Sequence, residues 1–146
     1  MARKSRPGPR PASALPVLPA QCPCGSAKPY AECCGPLHSG EGRASSAEQL
    51  MRSRFSAFAV GDAAYLLRSW HSTTRPARLS LDDGTTWTRL EILGATDGGP
   101  FHSEGTVEFR AYYRERGRAT VEQSMHENSS FAREGEGGAW VYVSAV

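Results

Sequence analysis

All four cysteines of this 146-residue chain fall within thirteen positions, in the stretch CPCGSAKPYAECCG at residues 22–35. A cluster that dense must share one role. The spacing is C-x-C, eight residues, then C-C, which folds back as a knuckle offering the four sulfurs that a closed tetrahedral zinc site requires. Gly25 and Ser26 supply the first turn, and Gly35-Pro36 ends the second. Thiolates are soft donors that select zinc over magnesium or calcium, and four of them around one divalent ion leave a formal charge of about −2. Lys28, inside the loop, is placed to offset part of it. Zn2+ is therefore the expected cofactor, with Cys22, Cys24, Cys33 and Cys34 as ligands. Two other uses stay open. Crossed disulfides belong to oxidising compartments, and a Cys33–Cys34 bridge is strained because adjacent α-carbons lie only about 3.8 Å apart. A redox dithiol normally reads C-x-x-C beside a βαβ pattern, which is absent here. Zinc carries its own condition: neighbouring side chains point apart, so Cys33 and Cys34 both ligate only if the backbone turns between them.

The same fourteen residues resemble the SEC-C motif, the zinc knuckle of the C-terminal tail of the bacterial preprotein translocation ATPase. In that family the four cysteine positions bind zinc, and the motif contacts an export chaperone. The resemblance thus implies a protein-interaction or adaptor module associated with a chaperone, secretion or the ribosome. Ala27 departs from the motif, which usually has glycine there.

The chain is long enough for one ordinary domain plus an appendage, and 39% hydrophobic with 22% charged residues suits a packed core. Charge is unevenly spread, with six Lys or Arg against Glu32 and Glu41 in residues 1–43 and a slightly acidic remainder. Residues 1–21 hold five prolines, so they read as a disordered basic arm, able to touch nucleic acid or the ribosome and otherwise simply solvated. Prolines interrupt the one apolar run that a signal peptide would need, which predicts a cytoplasmic protein. Residues 36–44 follow the knuckle as a linker of turn formers, in which His38 is expected to be exposed.

Ser45 with Glu48 reads as a capping box, and Ala47, Leu50, Met51, Arg54, Phe55 and Phe58 recur at helical spacing, predicting a helix over 46–59 ended by Gly61. Asp62 is placed to cap a second helix over 63–70, with Tyr65, Leu66 and Trp70 facing inward. Strands are then expected at 87–93, 105–114, 119–133 and 140–146, between Gly-rich turns. Helices first and a consecutive antiparallel sheet afterwards is an α+β arrangement. The residues that carry these elements, from Ala47-Glu-Gln-Leu through Trp70-His71, Thr74-Arg75-Pro76 and His126-Glu127 to Trp140-Val-Tyr-Val, resemble the bacterial YchJ family. That resemblance implies a domain over 45–146 similar to nuclear transport factor 2, helices packed on a curved antiparallel sheet as a cone, behind an N-terminal zinc knuckle. It implies no chemistry.

Five polar residues are candidates for a site inside such a cone: His71, Arg75, Glu108, His126 and Glu127. A histidine with a carboxylate can act as general base, and an arginine can hold an anion. On this reading the cone binds a small molecule or acts on it by acid/base chemistry. The plainer reading makes His71 a helix C-cap and Glu108–His126 a cross-strand pair, since no nucleophile or phosphate-loop motif accompanies them. Trp70, Trp87 and Trp140 are expected to fill the core.

Overall fold

A computed structural model of the chain describes residues 18–82 and 84–146, so the basic arm expected at 1–21 lies outside the described residues except at its last four positions. A 3-10 turn at Tyr30–Glu32 leads into helix α1 (Cys34–Ser39), followed by α2 (Ala47–Val60) and α3 (Ala63–Arg68). Four strands complete the chain: β1 (Thr85–Asp97), β2 (Glu104–Glu115), β3 (Arg118–Glu134) and β4 (Ala139–Ala145). They form one antiparallel sheet in the order β1-β2-β3-β4. The α+β class is as expected. Among the described residues no helix is long and apolar enough to cross a membrane.

α2 crosses the inner face of the sheet because its apolar stripe and the alternate residues of β2 meet there. Leu50, Met51 and Phe55 pack with Val107, Phe109 and Ala111 of β2, Phe131 of β3 and Trp140 of β4, all buried. Each large side chain so buried contributes about 1.5–3 kcal/mol. Register shifts that leave Thr88 and Leu93 of β1 and Val143 of β4 as extra residues bend the strands over the helix.

The N-cap of α2 lies one residue later than expected. Ser46 is the N-cap, its hydroxyl accepting from Gln49 N–H at 3.1 Å, while Gln49 Oε1 accepts from Ser45 N–H at 2.6 Å. Glu48 instead pairs with Arg52 one turn on, at 3.1 Å. Gly61, at φ +79°, stops the helix in the left-handed region where glycine is favoured. Asp62 caps α3 as expected, accepting from Tyr65 N–H at 3.0 Å. α3 ends at Arg68 rather than Trp70, because the chain there turns to pair with β4: Tyr142 N–H donates to Ser69 C=O at 2.8 Å and His71 N–H to Tyr142 C=O at 2.7 Å.

Two expectations need correction. Residues 36–39 are not a linker but the last four residues of α1. Pro36 is tolerated in the first turn of a helix, Leu37 is buried with Leu66, and Gly40 at φ +88° supplies the stop. β1 also runs past its predicted end at residue 93 to Asp97, with Leu93 as the extra residue of a register shift and Gly94 paired with Glu108.

Candidate metal centre

The knuckle is drawn closed by its own backbone. Cys22 N–H donates to Lys28 C=O at 2.9 Å and Gly25 N–H to Cys22 C=O at 3.3 Å, while Gln21 bridges to Pro29. Cys33 then breaks the path between the 3-10 turn and α1, with φ −127° and ψ −101°, outside both helical and extended regions. That break is what lets Cys33 and Cys34 turn to one side. Gly35 is required beside it, since a Cβ there would lie 2.7 Å from Tyr30 C=O.

All four Sγ atoms lie within 4.8 Å of one another, and Cys24 Sγ is 3.6 Å from Cys33 Sγ. A tetrahedral zinc with Zn–S bonds of about 2.3 Å sets its sulfurs about 3.8 Å apart, so the donor set fits the ion. The cysteines are free thiols; Cys22, Cys24 and Cys34 are buried and Cys33 is half-buried. Hydrogen bonds from Cys24 and Cys34 hold the Cys22 thiol far below its ordinary range. The bonds to Cys22 and Cys24, with burial, push Cys34 far up.

The knuckle is docked on α2. Cys22 Sγ lies 3.4 Å from Ser56 Oγ, Arg52 donates to Cys24 C=O at 2.8 Å, and Val60 packs against the cluster. Lys28 is exposed, so it is Arg52 that ties a cation to the loop. His38, expected to be exposed, is buried. Its Nε2 donates to Ser53 C=O at 2.8 Å, which leaves Nδ1 to accept from the Tyr30 hydroxyl at 2.6 Å. Both ring nitrogens are used in holding knuckle to helix.

The five cone candidates do not converge. Glu108 and His126 form a cross-strand pair at 2.6 Å, about half exposed, on the sheet face opposite Val107 and Phe109. His71 caps no helix. Its Nδ1 lies 2.7 Å from the Thr73 hydroxyl and 3.6 Å from Glu134, while Arg75 donates to Trp70 C=O at 3.0 Å. Only Glu127 of the five lines the cavity between α2 and the inner sheet face, a space of about 200 Å³ walled by Met51, Phe55, Trp70, Trp87, Phe109 and Tyr142. Of the three tryptophans Trp140 is buried in the core, and Trp70 and Trp87 are half-buried in that wall. Arg54 also faces the cavity, at 4% exposure. Its signal was present in the sequence, as a charge on the apolar stripe of α2.

Comparison with known proteins places the architecture. The family description "YchJ, middle NTF2-like domain" matches residues 46–145, and the SEC-C motif matches residues 19–36. A UPF0225 protein of Streptomyces coelicolor is 55% identical over 122 residues, covering 84% of this chain and 91% of that one. One from Corynebacterium glutamicum is 52% identical over 122 residues, covering 84% and 93%. The solution structure of a SEC-C motif-containing protein from Rhodopseudomonas palustris is similar with a TM-score of 0.72 at 35% identity, covering 86% of this chain and 97% of that one. The crystal structure of a SEC-C motif-containing protein from Psychrobacter arcticus is similar with a TM-score of 0.69 at 26% identity, covering 85% and 80%. With motif and domain matched in the same order and close relatives along most of its length, the chain belongs to the YchJ, or UPF0225, family.

Proposed function

We propose that this protein is a cytoplasmic zinc protein whose SEC-C knuckle is a rigid recognition surface for a protein partner, with the cone domain as its scaffold. The observation that carries this reading is the closure of the thiol cluster. Four sulfurs within 4.8 Å of one another use every position of a tetrahedral ion and leave none for substrate or water, which is the pattern of a structural rather than a catalytic zinc. Zinc would hold the loop shape, and Cys22, Cys24, Cys33 and Cys34 would supply all its ligands. The loop itself supports binding: Ala27, Lys28, Pro29, Ala31 and Glu32 are exposed around the buried sulfurs. Free thiols suit a reducing compartment. Because α1 follows the knuckle directly and His38 and Arg52 anchor it, the surface is presented in a fixed orientation.

The test is a pull-down with the zinc-loaded full chain, comparing wild type with the surface double substitution Lys28→Glu/Glu32→Lys and with Cys33→Ser/Cys34→Ser. Elemental analysis is expected to give a single zinc per chain for the first two proteins. A partner retained by wild type and lost from both variants supports the reading. Identical partner lists for all three would sink it.

A further inference from the structure

A cation buried beside an apolar cavity needs an explanation that the knuckle does not supply. Arg54 is 4% exposed, and burying a charge is costly unless it is paired. Its partners are all neutral. Nη1 donates to Leu66 C=O at 2.8 Å and to Ser69 Oγ at 2.7 Å, and the guanidinium carbon lies 4.9 Å from the Trp70 ring and 4.6 Å from the Tyr142 ring. Burial lowers its pKa to about 10, so it stays charged at neutral pH. Among the described residues no carboxylate forms an ion pair with it. Glu127 lines the same cavity, but its Oε2 accepts from the Ser129 hydroxyl. Nε and Nη2 of Arg54 have no protein hydrogen-bond partner among the described residues, and these two atoms form the edge of the guanidinium that grips a carboxylate side-on through two parallel bonds. Trp70, in the same wall, has a buried donor, Nε1, without an acceptor.

The rest of the cavity specifies the remainder of the ligand. Its wall is mostly aromatic, and Phe58 and Met125, each 36% exposed, mark its mouth. A dry cavity of about 150 Å³ accepts a benzene ring, so about 200 Å³ holds one ring and a small acidic group. We propose that this cavity is a binding site for a small monocyclic aromatic carboxylate, its anion on the free edge of Arg54 and its ring against Phe55, Trp87 and Phe109. A single guanidinium pairs with one negative charge; with the Glu127 carboxylate already in the lining, a phosphate dianion would bring still more charge unmatched into an apolar enclosure.

Benzoate serves as the probe, titrated into the zinc-loaded full chain and followed by calorimetry and by the indole N–H resonances. Trp70 and Trp87 line the cavity and Trp140 does not, so the first two resonances are expected to shift and the third to stay. Benzoate should bind at least about tenfold more tightly than benzyl alcohol, and Arg54→Met should abolish that preference. The wild-type measurements stand even if Arg54→Met does not fold. No saturation up to about 10 mM benzoate overturns the proposal, as does equal affinity for the alcohol or a shift confined to Trp140.

Discussion

Replacing Ala27 with glycine is expected to strengthen the knuckle. Ala27 sits at φ +67°, in the left-handed region, although it carries a Cβ. For an L-residue that conformation costs roughly 1–2 kcal/mol, and glycine is free of the penalty. Glycine also loosens the unfolded chain, at a cost of about 0.4–1 kcal/mol. The difference leaves about 0.5–1 kcal/mol in favour of Ala27→Gly. If zinc orders this loop as proposed, the gain should reach zinc binding as a roughly two- to fivefold rise in apparent affinity. The assay is competition against a chelator of known affinity at fixed pH. Gly25→Ala is the reverse control: Gly25 has φ +86°, and its added Cβ would make only an ordinary contact 3.7 Å from Leu90 C=O, so backbone strain alone should weaken binding. Unchanged or weaker zinc affinity in Ala27→Gly, with the control behaving as stated, would refute a left-handed Ala27 as the strained point of the loop.

Zinc removal should be felt beyond residues 22–35. The contacts of Arg52, Ser56 and His38 with the knuckle, at about 1 kcal/mol per hydrogen bond, predict a fall in Tm of about 5–10 °C on chelation; an unchanged melting curve would contradict this docking. Ser46→Ala should cost about 1 kcal/mol in urea unfolding and Ser45→Ala less; the reverse order would return the cap to Ser45. Gly105→Ala should destabilise by about 2 kcal/mol or more, since its Cβ would fall 2.5 Å from Gly98 Cα and 2.6 Å from Gly98 N, and backbone cannot step aside cheaply; a stable, normally folded variant in thermal melts contradicts this packing.

The elements that the sequence revealed are those whose period is long enough to average over context. α2 and the four strands were legible from their apolar repeats, and the four thiols from their spacing. α1 was not, because its six residues have no capping side chain such as Asp62 gives the equally short α3; burial of Leu37 and His38 against neighbouring helices holds it, and that is tertiary information. The placement of the polar candidates failed for two different reasons. Glu108 lies between Val107 and Phe109, both buried, so strand alternation alone already turns it outward. His126 and Glu127 could be separated only by register. β2 pairs Phe109 with Glu127 and Arg110 with His126, which sends the carboxylate inward and the imidazole out.

α2 explains why the sequence suggests two units where the structure joins them. A helix of fourteen residues is marginal alone and takes its stability from what covers it. Arg52, Ser56 and Val60, four residues apart, touch the knuckle, while Met51, Arg54, Phe55 and Phe58 face the cavity. Ser53 stands between the two: its carbonyl accepts from His38, and its hydroxyl lies 2.7 Å from that of Tyr65 on α3. A chain that lost the knuckle and α1 would expose this side of α2, leaving Ser53 C=O without His38 and Ser56 Oγ without Cys22. The cysteine loop, with α1, is therefore one wall of the domain that the sequence places behind a linker, and a truncation that begins at residue 45 should be less stable than the full chain even though every strand is retained.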